Sequence, residues 1–302
     1  MVRRAALVGL ISLAAACSPR PAPSASAAVP GGRTIRDAFD RQVSLPPRIT
    51  RIVSLAPSTT EMVFALGGGD RLVGVDQYSD YPSEAAKLPR VGSTIEPSIE
   101  RILGLRPDVV LTATSANRQS TTDELARLGV AVVVTKGSSL EQIFADLAIV
   151  GEATAQQAQA TALIARLRAE LAALQQRASQ LPKTRCAIVV WPEPLVVAGP
   201  GSHLDDLLAI TGGTNIAADA NQAFPTYSQE RLIQRAPEVL IVGTHKQQRP
   251  PDLEPLRRLA SLPAVRNDRV HLVDGDVLFR PGPRIGEAAA HLFRLLHEPA
   301  AR

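Results

Sequence analysis

Apolar positions along the chain fall into short runs with strand character, separated by segments that repeat every three to four residues. "TIRDAF" and "RQVSL" alternate about Asp40-Arg41 and predict a leading hairpin. "RIVSL" (51–55) reads as a strand, followed by a helix that Pro57 opens and the glycines 67–69 stop. "LVGV" (72–75) is the next strand. A helix over 98–105, a strand over 109–112, a helix over 121–128, a strand over 130–134 and a helix over 139–151 then follow. Ser58…Glu61 and Ser138…Glu141 both fit the capping-box spacing. The glycines of "GGGD" and "TGGTN" read as helix stops in left-handed backbone.

Residues 154–179 break this rhythm. They contain neither Gly nor Pro, and Leu163, Ile164, Leu167, Leu171 and Leu174 recur at helical spacing. At about 1.5 Å per residue such a helix spans roughly 39 Å, more than a strand-to-strand crossover needs. After Pro182 the alternation restarts, with strands over 186–191, 239–242 and 270–273 and helices over 203–211, 228–235 and 284–297. Strands alternating with helices imply parallel sheets. "PSIERILGLRPDVVLT" (97–112) also matches "YSQERLIQRAPEVLIV" (227–242) at a constant offset. Ser98, Glu100, Arg101, Pro107 and Val109 meet Ser228, Glu230, Arg231, Pro237 and Val239, one copy on each side of the long helix. The pattern predicts two similarly built α/β lobes, 34–152 and 182–302, joined by a linking helix within 153–181.

The N-terminus adds an address. "MVRRAALVGLISLAAAC" has a basic start and an apolar run too short to span a membrane, which reads as an export signal. Cys17 after Ala15-Ala16 resembles a lipoprotein box, so residues 1–17 form a signal segment ending at a lipidated cysteine. Cleavage after Ala25-Ser26-Ala27 is the alternative. Residues 18–33, rich in Pro, Ser and Ala, read as a disordered tether. Cys186 then has no partner and reads as an inert core thiol. The net charge of +4 is spread without runs of Lys/Arg among aromatics, so no nucleic-acid partner is expected.

In open parallel sheets ligands bind beyond the carboxyl ends of the strands. Six of the aromatic residues (Tyr78, Tyr81, Trp191, Phe224, Tyr227, Phe279) fall in segments expected to follow strands or precede helices, beside Asp276, Arg280 and small hydroxyl residues. This predicts a cleft lined with rings and a few polar anchors. The histidines show no metal-ligand spacing, and no GxSxG, P-loop or GxGxxG motif follows a strand, which argues against an enzyme, a metal site or a cofactor.

"RIVSLAPSTTEMVFALGGGDRLVGVDQYSDYPSEAAKLPRVGS", "PSIERILGLRPDVVLT" and "RPGPRIGEAAAHLFRLLH" resemble the periplasmic binding proteins of the cobalamin and iron-siderophore group, most closely the vitamin B12-binding components of ABC importers. The resemblance covers about residues 34–298. It implies two Rossmann-like lobes joined by one rigid helix, with a ligand held between them and delivered to a permease dimer and its ATPase subunits. It places Ser58 and Thr59 at the cleft, Tyr78 against a corrin, and Trp191 and Phe224 on the second wall. Asp276 becomes a contact to the ligand edge. Thr94 stands where cobalamin-binding members have tryptophan, and the axial tyrosine of haem-binding members is absent. Arg118 and Arg280 are positioned to meet carboxylates of haem or a siderophore instead. Glu100 and Glu230 match glutamates that pair with permease arginines. The expected protein is a monomeric, exported, membrane-anchored carrier of a corrinoid. A haem or ferric-siderophore carrier is the near alternative, and an exported sensor or docking subunit the distant one.

Overall fold

The computed structural model describes residues 31–114, 119–244 and 250–298; Cys17, the tether up to residue 30 and Arg118 lie outside them. The hairpin forms as β1 (Arg33–Arg36) and β2 (Gln42–Leu45), antiparallel with Thr34 opposite Ser44. Its turn places Asp40 in left-handed backbone, and the Asp37 carboxylate accepts from the amides of Phe39 and Arg41.

The first lobe is a parallel sheet of β3 (Ile52–Ser54), β4 (Leu72–Val75), β5 (Val109–Ala113) and β6 (Val132–Thr135), in the order β4-β3-β5-β6. Every residue of β3, β5 and β6 is buried, as expected for strands covered on both faces. The covering helices are α1 (Pro57–Ala65), α2 (Ile99–Gly104), α3 (Gln119–Arg127) and α4 (Leu140–Ala153). Gly67 ends the first of these with φ +81°, in the expected left-handed backbone.

α5 (Gln157–Ala178) crosses to the second lobe and spans roughly 33 Å at about 1.5 Å per residue. It is not a free strut. Leu163, Leu167 and Leu171 are buried as the helix packs on α4, and farther along on helices of the second lobe. There β7 (Thr184–Pro192) is shared along its length: Thr184–Cys186 pairs with β9 (Gly213–Asn215), and Val189–Pro192 pairs with the antiparallel β8 (Leu195–Val197). On its other side lie β10 (Val239–Thr244) and the edge strand β11 (Val270–Asp274). α6 (His203–Ile210), α7 (Gln229–Arg235), α8 (Glu254–Arg257), α9 (Pro263–Arg266), α10 (Gly275–Leu278) and α11 (Ile285–His297) complete the lobe. β8, β9, α8, α9 and α10 are three or four residues long, too short to complete a hydrophobic period, and the sequence pattern does not announce them. Cys186 is a free buried thiol whose pKa burial pushes up to about 12.

The repeat is structural as well as textual. Ser98 and Ser228 each accept a bond from the backbone amide three residues on, at Arg101 and Arg231. Arg106 and Ala236 both adopt left-handed backbone at φ 46° just past the helix. Asp108 and Glu238 then accept from the amides of Arg51 and Arg185, at the foot of the neighbouring strand. The common register (Ile52 beside Val109, Cys186 beside Val239) gives the two lobes one construction.

Two capping expectations are corrected. α1 is capped by Ala56 without any side-chain bond, and Glu61 is buried and turned to partners far along the chain. α4 is capped by Ser139 rather than Ser138, its hydroxyl accepting from the Gln142 amide. The Leu140 amide is bound by the Asp206 carboxylate of α6 at 2.9 Å, so the second lobe completes a helix end of the first.

Leu167→Ala should destabilise the protein by about 2–5 kcal/mol in chemical denaturation, since Leu167 is 2% exposed on the buried face of α5. His203 is also buried, its Nε2 donating to the Leu278 carbonyl at 3.3 Å, and burial lowers its pKa to about 4. The unfolded chain therefore binds the proton first as pH falls. The stability from neutral His203 is fully present above about pH 6.5 and declines by about 1.4 kcal/mol per pH unit towards pH 4. Denaturation curves of His203→Gln should be flatter than those of the parent across that window.

Candidate ligand-binding site

The carboxyl ends of the two sheets face each other. The segment after β11 and α10 reaches across to the first lobe, where the Pro281 ring sits against Gly137 after β6. A side-chain carbon added at the neighbouring Gly282 would stand 3.7 Å from the Ser58 carbonyl oxygen. The loops leaving the strands therefore border the space between the lobes.

In the first lobe the wall is built on buried hydroxyls. Ser54 at the end of β3 lies 2.7 Å from Thr59 and accepts from Thr60 at 2.8 Å; Thr60 in turn lies 2.8 Å from Ser79. Ser79 donates to Asp76, whose other oxygen takes the Tyr78 amide. Burial raises the Asp76 pKa, opposed by those two hydrogen bonds. Arg90 closes the loop by donating to the carbonyls of Asp76 and Ser79 at 2.8 and 2.7 Å. The loop is thus fixed from beneath while the Tyr78 ring stays 37% exposed. Thr59 is fully buried and its hydroxyl is spent inside this chain; Ser58 is buried at the helix start. Thr94 is half-buried, next to the exposed Ile95.

In the second lobe exposed rings stand at β7 and near β8. Trp191, expected at the end of the strand over 186–191 and the start of the following loop, lies within β7 opposite Val196, where the strand pairs with β8. Val196 also bridges to Thr226, which draws Phe224 to the same edge. Both rings are more than 40% exposed. Two other rings do not line a cleft. Tyr227 is buried and donates its hydroxyl to the Ile216 carbonyl, and Phe279 packs over Gly243 and Gly275. Their positions before or after an element resemble those of the exposed rings, and only packing separates the two groups.

A charged cluster joins the lobes beside Tyr78 and Tyr81. Asp276, on α10, is 6% exposed, and Arg280 pairs with it at 3.2 Å. The same guanidinium pairs with Glu61 at 3.1 Å and Asp80 at 2.9 Å and donates to the Tyr78 carbonyl. Arg284 holds Glu61 by two bonds at 2.7 and 2.8 Å, donates to the Asp276 carbonyl and lies 4.2 Å over the Tyr81 ring. The carboxylates raise the pKa of both arginines against the burial that lowers it. Sequence reasoning misses Glu61 and Arg284 as site residues; their link spans 223 positions and leaves no local pattern.

Glu100 and Glu230 lie away from these walls, exposed in the first turns of α2 and α7. A hydrogen bond from the Ser228 hydroxyl and one from its own backbone amide lower the Glu230 pKa. Arg231 stacks 4.5 Å over Tyr227 and, with Arg235, pairs with Asp219, so neither arginine neutralises the glutamate beside it. Among the described residues no group of His, Cys, Asp or Glu is arranged to hold a metal.

Known proteins share this architecture and sequence. A vitamin B12-binding protein of Yersinia pseudotuberculosis is 35% identical over 65% of this chain and 71% of its own. The crystal structure of a periplasmic vitamin B12 binding protein of Vibrio cholerae superposes with a TM-score of 0.72 at 28% identity, covering 84% of this chain and 99% of its own. A periplasmic haem-binding protein from Roseiflexus superposes at 0.76 with 30% identity, covering 84% and 100%. These relatives bind ligands and are not enzymes. The two lobes, their facing carboxyl edges and a family match over residues 52–277 agree: this chain belongs to the periplasmic binding protein family.

Proposed function

We propose that the protein is the substrate-binding subunit of an ABC importer, capturing cobalamin or a related corrinoid between its lobes and delivering it to a membrane permease. The observation that carries this reading is the set of exposed rings Tyr78, Trp191 and Phe224, contributed by both lobes of a chain related to vitamin B12-binding proteins. Large flat ligands gain from aromatic walls of this kind. Ser58, Thr94, Asp276 and Arg280 would border the ligand, Thr59 supporting the wall from behind. Haem is the second reading, favoured by the likeness to the Roseiflexus protein. The corrinoid is the transported cargo rather than a resident cofactor. Lipidation of Cys17 would tether a monomeric carrier to the membrane. The absorption spectrum of protein purified from its native host distinguishes bound corrin, haem and ferric siderophore.

Docking on the permease falls to Glu100 and Glu230. Their shared slot, Ser-capped and exposed in both lobes, supports a pair of anions that a dimeric permease can meet with a matching pair of cations. The bland alternative is that each carboxylate only complements its helix dipole.

Cobalamin should quench Trp191 fluorescence saturably near one ligand per chain, and Tyr78→Ala should weaken binding by roughly 1–3 kcal/mol through lost aromatic burial. Unchanged emission with cobalamin, cobinamide and haem would refute the ligand reading. Glu100→Ala and Glu230→Ala should each bind ligand like the parent while lowering reconstituted uptake roughly tenfold or more, with the double variant nearly inactive. Full uptake by the double variant would reduce both glutamates to helix-capping charges.

A further inference from the structure

Glu61, Asp80 and Asp276 bring three negative charges to the two positive charges of Arg280 and Arg284. Most of the guanidinium donors are turned to partners within the protein. Nη1 of Arg280 serves Glu61 and Asp80, and its Nη2 serves Tyr78 and Asp276; Nε and Nη2 of Arg284 serve Glu61. The side chains of Arg280 and Arg284 are only 13% and 10% exposed, whereas that of Asp80 is 25% exposed. The member most open to an arriving ligand is therefore an acid. A ligand carboxylate meets like charge there before it reaches either less exposed arginine, and most of their donors are already engaged. An amide edge can instead donate to the outward oxygens.

We infer that this cluster is a specificity device that selects ligands with neutral, amide-bearing edges over carboxylates, with Glu61 as the positioning residue that turns both arginines toward the protein. The inference rests on the cleft being the ligand site. It assigns Arg280 a different task from meeting ligand carboxylates: its charge is committed to the protein.

The test compares cyanocobalamin with its monocarboxylic acids, which have the same ring with one peripheral amide hydrolysed. The parent should prefer the amide by about tenfold over at least one acid, more strongly at low salt. Glu61→Gln should lower that ratio at least about threefold by freeing guanidinium donors. Asp80→Asn, which leaves the Glu61 pairs intact, should move it in the same direction, so misfolding of the first variant would not block the experiment. A purely structural role would weaken both ligands alike and leave the ratio where it was. Equal affinity of the parent for amide and acid, or an unchanged ratio in both variants, overturns the inference. If the parent takes haem and no corrinoid, the ligand reading fails separately. The cluster is then judged by whether both variants tighten haem, with its two propionates, and unchanged haem affinity overturns it. Binding of neither ligand overturns both readings.

Discussion

Glu61 sits fully enclosed where the two lobes meet, and its carboxylate is held by two arginines that come from the other lobe. An ionised carboxylate in that position is expensive unless its partners are fixed in good geometry, and removing one partner leaves the charge stranded. The lobes must therefore keep the spacing that lets Arg284 grip Glu61 through both oxygens. Among the described residues, every ion pair between the lobes runs through Arg280 or Arg284. The same two side chains touch Tyr78 and Tyr81, so the constraint that sets lobe spacing also sets where the first wall's rings stand.

A second level of order lies behind that wall. The hydroxyl chain from Thr59 through Ser54 and Thr60 to Ser79 ends on a buried carboxylate, Asp76, and satisfies polar groups that a parallel sheet's carboxyl edge would otherwise leave bare. Fully paired networks of this kind confer rigidity. Rigid walls suit a protein whose task is recognition, because a ligand then binds without first ordering the loop that receives it.

Much of the architecture is legible in the residues. β3, β5, β7, β10 and the long α5 announce themselves through apolar runs and period, and the repeat at 97–112 and 227–242 carries over down to individual caps. Legibility fails wherever the deciding partner is remote. Glu61 stands three residues after Ser58, at the spacing of a capping box, yet its partners lie more than two hundred positions away. Ser138 and Ser139 are equivalent as sequence, and only the backbone extended at Ser139 decides between them. Trp191 reads as the last residue of its strand because β8, which pairs around it, has just three residues. Tyr227 and Phe279 share the compositional signature of the exposed rings but face inward.

The bond between Asp206 and the Leu140 amide bears on how separable the lobes are. Their matching construction invites a picture of two interchangeable modules, each able to exist alone. Yet the opening turn of α4 finds one of its acceptors 66 positions downstream, on a helix that belongs to the other half. During synthesis that turn stays incomplete until the chain has passed the linking helix and begun its second sheet. A first lobe cut away from its sibling would keep the Ser139 cap but lose the acceptor of the Leu140 amide, so the two halves, for all their likeness, complete each other's local structure.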